Sequence, residues 1–196
     1  MCTGNICRSA WAEHSLQTRL DAVSRGVAEA GSAGTHPNQA LTVPGPLLAL
    51  GEQSGIAGLG RHRPAQLTTG MIDQSALVLA ATQEHMRAVL RAVPGAVSRT
   101  YTVTEFAALV RAMDERAGQD WFPGGAGVGE LVRAASRSRA VARSTGVSLD
   151  VPDPFGGPAE GYAEMVELLE PALETIAGAL VRAVSGSAAA PLPAPR

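Results

Sequence analysis

A chain of 196 residues, 45% hydrophobic and 17% charged, is long enough to bury one substantial core and suits a single compact domain. The formal net charge of −2 argues against a surface for nucleic acid or for an anionic membrane. The only two cysteines, Cys2 and Cys7, share one short stretch, so no disulfide framework forms, and a reducing, cytoplasmic setting is expected.

Residues 10–23 carry Ala12, Leu16, Leu20 and Val23 at helical spacing, with Glu13, Gln17 and Arg19 off that stripe and Ser9 as the N-cap. Residues 27–33, short and partly apolar, predict a strand ending in a turn at 32–35. Pro44 or Pro46 opens a helix through Leu47, Leu48 and Leu50 that closes near Gly55. After a polar connection at 61–67, Thr69 caps a short helix through Ile72. Residues 76–81 form an apolar run that fits a strand buried on both faces. Thr82 starts a helix through Val93, stopped by Pro94, and a weak strand follows at 98–101.

Thr102 and Glu105 stand in a capping-box pattern ahead of a helix carrying Phe106, Leu109, Val110 and Met113. Residues 119–128 predict a glycine-rich loop. A helix over 129–143 has a basic face of Arg133, Arg137, Arg139 and Arg143, read as solvated, with a surface for acidic phosphoproteins as the alternative. Residues 150–158 form a turn-rich loop, and a long helix follows over about 159–184, with Pro171 expected to kink or break it. The domain spans 1–184, and 185–196 read as a disordered tail. The alternation of strands and helices predicts an α/β fold with a parallel sheet. No run of about 18 apolar residues and no basic-then-apolar leader pattern is present.

Chemistry concentrates in residues 2–9: Cys2, Thr3, Gly4, Asn5, Ile6, Cys7, Arg8 and Ser9. A loop of this length leading into a helix can turn backbone N–H groups inward, and the helix start adds partial positive charge. Arg8 offers a planar fork of donors matched to two phosphate oxygens. The field that holds an anion also favours Cys2 as the thiolate, the form that attacks phosphorus. Gly4 and Asn5 suit left-handed backbone, and Ser9 can donate to the thiolate or cap the helix. On spacing alone, a buried thiol acting as a small hydrophobe remains an alternative. Ester cleavage also needs a proton donor for the leaving oxygen. Asp153, stiffened by Pro154 and followed by Phe155, is the candidate, with simple turn chemistry as the other reading. Asp150 is its rival and lacks a following proline and aromatic.

The string from Cys2 to Ser9 resembles the signature loop of bacterial low-molecular-weight protein tyrosine phosphatases. The Asp153-Pro154-Phe155 segment, Ser32 to Thr35, and His62 with Gln66-Leu67 resemble further parts of that family. The resemblance implies a three-layer sandwich with a short parallel sheet of four strands flanked by helices. It implies Cys2 as nucleophile, Arg8 and the loop amides of Thr3 to Ser9 on phosphate, Asp153 as general acid and base, and Phe155 beside the substrate ring. It makes Ser32 and His62 supports for Asn5 and Ser9, and it implies no metal and no organic cofactor. Cys7 could form a reversible disulfide with Cys2. A monomer acting on phosphotyrosine proteins is implied, with a bacterial tyrosine kinase or a polysaccharide-export regulator as substrate.

Several positions depart from that pattern. Ala10 stands where proline commonly follows the loop, Gly156 replaces a second aromatic, and residues 111–149 are long. The family's first strand precedes its cysteine; here only Met1 does, so an upstream start, or a poorly folded and weakly active chain, is expected. The alternatives are an arsenate reductase on the same fold and a truncated, non-catalytic phosphate-binding protein.

Overall fold

The computed structural model of the chain describes residues 1–23, 26, 28–140 and 149–185. Seven α-helices are described: α1 (Arg8–Val23), α2 (Gly45–Gln53), α3 (Thr69–Gln74), α4 (Gln83–Ala92), α5 (Val103–Ala117), α6 (Val128–Arg137) and α7 (Ala159–Ser185). Two strands, β1 (Val78–Ala80) and β2 (Thr100–Thr102), pair in parallel with Val78 opposite Thr100. No described helix is long and apolar enough to cross a membrane.

The expected four strands reduce to two among the described residues. Met1 and Cys2 lie alongside β1: the Met1 amine donates to the Leu79 carbonyl at 2.6 Å, and Ala81 N–H donates to the Met1 carbonyl at 2.9 Å. Burial pushes that amine below its ordinary pKa. Cys2 bridges in parallel to Gly34, and Gly34 to Gln66, each as an isolated pair. Each of these bridges is a single pair, and a ladder needs successive pairs to propagate. Of residues 27–33, read from sequence as strand, Val27 lies outside the described residues. Residues 28–33 form no strand, their one backbone link to Cys2 being from its N–H to the Ala33 carbonyl at 3.4 Å. They border a groove of about 690 Å³ whose other wall includes Ala76, Leu77 and Val78.

Helix starts follow local chemistry. Thr82 accepts from His85 N–H, and Thr102 and Glu105 complete a reciprocal capping box at 3.1 and 3.3 Å. Thr68, one residue before the expected cap, accepts from Met71 N–H and starts α3. Ser9 does not cap α1, which begins at Arg8; its hydroxyl is taken by the loop instead.

α7 packs against α1 and α5, and its Met165, Leu169, Leu173 and Ile176 share one core with Trp11, Leu20, Phe106 and Leu109. Burial of each such side chain is worth about 1.5–3 kcal/mol. That packing explains why α7 runs unbroken through Pro171, against expectation. A proline inside a helix costs roughly 3 kcal/mol, and fully buried neighbours on both sides outweigh it. The helices are also joined by charge: Glu170 on α7 accepts from Trp11 Nε1 and Ser15 Oγ, both at 2.7 Å, and pairs with Arg19.

The basic face beyond residue 129 is partly structural. Arg139 pairs with Glu105 at 2.9 Å and stacks 4.3 Å above the Tyr101 ring, and Arg133 pairs with Glu130 on its own helix. α6 ends at Arg137, short of the expected boundary, and Arg143 and the tail at 186–196 lie outside the described residues.

Candidate active site

Asn5 is the centre of residues 2–9. It is fully buried and holds φ 55°, the left-handed region that a short polar side chain tolerates. Gly4 does not use that region, so the expected pair reduces to one position. Asn5 Nδ2 donates to Ser9 Oγ at 2.9 Å and to Ser32 Oγ at 2.6 Å, and its Oδ1 accepts from Ala65 N–H at 2.8 Å. Its carbonyl accepts from His62 Nε2 at 2.8 Å, and Ser32 Oγ donates to Glu13 Oε2 at 2.6 Å. Both supports inferred for Asn5, Ser32 and His62, therefore touch it. Gly34 closes against the loop so tightly that a Cβ there would stand 2.4 Å from the Thr3 carbonyl.

Cys2 lies at the base, 2% exposed, with its Sγ 3.0 Å from Ser9 Oγ and accepting from Asn5 N–H at 3.3 Å. These are donors suited to an anionic sulfur. Ile6 and Cys7, both 3% exposed, point their side chains into the core, so only their backbone can serve a phosphate. Burial, reinforced by Asp153 and Cys2, pushes the Cys7 thiol up to about 12. Both cysteines are free thiols.

Arg8 opens α1 and reaches across to the loop after residue 150. Its Nη2 donates to Asp153 Oδ2 at 2.6 Å and its Nη1 to the Val151 carbonyl at 3.2 Å, while its buried Nε has no partner among the described residues. The Asp153 carboxylate thus sits on Arg8 where a phosphate oxygen would sit. Asp153 is half exposed, and its Oδ1 accepts from Phe155 N–H at 3.3 Å, leaving the Phe155 ring in solvent. Asp150 is tied elsewhere: it accepts from Gln83 N–H at the start of α4.

One neighbour escaped sequence reasoning. His85 lies between Thr3 Oγ1 at 2.9 Å and Thr82 Oγ1 at 2.7 Å, joining the loop to α4. Burial, then the positive charges of Arg8 and the amine, lower its pKa to about 4. The unfolded ring takes up a proton near 6.5, well before the folded one does. Its contribution is therefore complete above about pH 6.5 and is lost as pH falls toward 4. At 1.36 kcal/mol per unit the shift is worth at most about 3 kcal/mol. Urea melts at pH 7 and pH 5 should show a smaller stability loss for His85→Gln than for the parent chain; an equal loss would remove His85 from this role.

With this geometry in hand, comparison with known proteins gives consistent matches. The profile of the family described as low molecular weight phosphotyrosine protein phosphatase matches residues 1–120. The chain is 30% identical over 193 residues to a low molecular weight protein-tyrosine-phosphatase of Streptomyces coelicolor, covering 96% of each chain. It is 26% identical over 183 residues to a protein-arginine-phosphatase of Geobacillus stearothermophilus, covering 90% of each. The solved structure of the YwlE arginine phosphatase from Geobacillus stearothermophilus superposes with a TM-score of 0.63 at 26% identity, over 90% of this chain and 86% of that one. A low molecular weight protein tyrosine phosphatase from T. tengcongensis has the same fold, with a TM-score of 0.64 at 24% identity over 89% and 92%.

Proposed function

Because the chain belongs to the low molecular weight phosphotyrosine protein phosphatase family and is a phosphatase, we propose that it hydrolyses phosphotyrosine in proteins through a phosphocysteine on Cys2. The observation that carries this reading is the pairing of Arg8 with Asp153 over a thiol that faces two donors. An arriving phosphate takes the place of the carboxylate on Arg8 and also meets the unpartnered Nε. The Cys2 thiolate attacks in line, forming the S–P bond as the bond from phosphorus to the phenol oxygen breaks. Asp153, which takes up a proton from solvent once released from Arg8, gives that proton to the leaving oxygen. Asp153 then takes a proton from water, which breaks the S–P bond and frees phosphate. Loop amides and Arg8 hold the oxygens in both steps.

The exposed Phe155 ring beside the acid favours an aromatic leaving group. A second reading, a phosphoarginine substrate, comes from the relatives named for that activity. One peptide carrying either phosphotyrosine or phosphoarginine separates them. We expect kcat/KM to favour phosphotyrosine; turnover of the phosphoarginine form alone would assign the second reading. Thiol-dependent arsenate reduction without phosphotyrosine turnover would overturn both.

A further inference from the structure

Behind the loop, the surface of α1 meets the connection at residues 58–62. Two imidazoles and a carboxylate converge there: His14 Nε2 is 3.2 Å from His62 Nδ1, His62 Nδ1 is 3.6 Å from Glu13 Oε2, and His14 Nε2 is 4.0 Å from Glu13 Oε1. The ligand-capable atoms of the three residues all lie within 4.8 Å of one another. A tetrahedral ion with bonds of about 2.0–2.1 Å sets its ligand atoms roughly 3.3 Å apart. The two nitrogens stand at that spacing, and a single Glu13 oxygen, within 4.8 Å of both, closes to it by rotation of the side chain.

Proton bookkeeping points the same way. The Asn5 carbonyl can only accept, so His62 Nε2 carries the hydrogen in that bond, and in the neutral ring Nδ1 presents a lone pair. His14 is bonded to the Ala57 carbonyl, and its Nδ1 is the atom on that side, 3.0 Å from where a Cβ on Gly58 would begin. Its Nε2 is thereby left as a second lone pair. Two imidazoles, each oriented by a backbone carbonyl and turning their free nitrogens toward each other, have the arrangement of metal-bound histidines. In the alternative tautomer of His14, its Nε2–H donates to His62 Nδ1 at 3.2 Å, and an ion takes the place of that bond.

We propose that Glu13, His14 and His62 form a zinc-class divalent metal site, with two nitrogens and one carboxylate oxygen as ligands and the fourth position open. An adjoining cavity of about 440 Å³, lined also by Gly31 and Ser32, gives access. Arg61 and Arg63 border the same cavity, so an anion or water suits the fourth position. The ion takes no part in phosphate chemistry. It ties α1 to His62, which holds the Asn5 carbonyl, and so stiffens the loop from behind.

The test separates this site from the thiol, itself a zinc ligand. Calorimetry with zinc at neutral pH on Cys2→Ser should give one ion per chain, and cobalt should give tetrahedral visible bands without a sulfur charge-transfer band. His14→Phe, which keeps a ring but cannot ligate, should weaken zinc binding in the Cys2→Ser background by about 100-fold or more. Zinc should also raise the melting temperature of Cys2→Ser and leave that of the double variant unchanged. In chelator, His14→Phe should turn over para-nitrophenyl phosphate at the parent rate, which shows that it is folded. Absence of zinc binding by Cys2→Ser, or equal binding after His14→Phe, overturns the proposal.

Discussion

Cys2→Ser should lower hydrolysis of both phosphotyrosine peptide and para-nitrophenyl phosphate by on the order of 10⁴-fold or more. The serine hydroxyl stays protonated where a thiolate would attack, and the donors from Asn5 N–H and Ser9 Oγ are placed for an anionic sulfur. No nearby thiol substitutes, because Cys7 is held up at about 12 and faces the core. Phosphate should still bind, since Arg8 and the loop backbone are untouched. Stopped assays for turnover, with phosphate titration followed by calorimetry, check both halves. Residual activity above about 1% of the parent would place the nucleophile elsewhere.

Asp153→Asn should act in two opposed directions. Loss of the proton donor should lower kcat on phosphotyrosine by about 10²- to 10³-fold, within the usual range for general acid catalysis. The loss should be smaller with para-nitrophenyl phosphate, whose leaving oxygen needs less protonation. Binding should improve at the same time. In the resting protein the carboxylate occupies Arg8 at 2.6 Å and must be displaced by substrate; the amide holds Arg8 less strongly. The carboxylate is half exposed, so the pair is worth about 1 kcal/mol and phosphate should bind several-fold more tightly. Competitive inhibition by inorganic phosphate measures this directly. If Asp153→Asn binds phosphate more weakly than the parent, the carboxylate is not an internal competitor.

The parts of the site that could be read from sequence are those set by local backbone. Cys2, Asn5, Arg8 and Ser9 belong to one contiguous turn, so spacing brings them together, while the chemistry expected of them rests on the resemblance. Ser9 had two expected uses, donor to the thiolate or helix cap, and its hydroxyl lies 3.0 Å from the Cys2 sulfur, the first of them. Ser32 and His62 carry no periodic signal of their own and were legible only through resemblance. Glu13 was read simply as the polar side of a helix. That side in fact faces the 58–62 connection, and only packing of α1 decides so. His85 was hidden for the same reason: its partner Thr3 is remote in sequence. The four strands were implied by the resemblance; two pair among the described residues, and the links through Cys2, Gly34 and Gln66 stay isolated bridges. Pro171, where a kink or a break was expected, does not break α7, the burial of Leu169 and Leu173 outweighing a local penalty.

The Glu170 junction with α1 also governs the order of assembly. Trp11, Ser15 and Arg19 meet a carboxylate about 150 residues later in the chain, and Arg8 meets Val151 and Asp153 at a similar remove. Contacts of such high sequence separation form late, after their loop-closure entropy has been overcome. Arg8 and α1 therefore wait for partners made about 150 residues later in the chain. The loop at 2–9 and the acid at 153 are thus brought into register together, when the long helix α7 docks on α1.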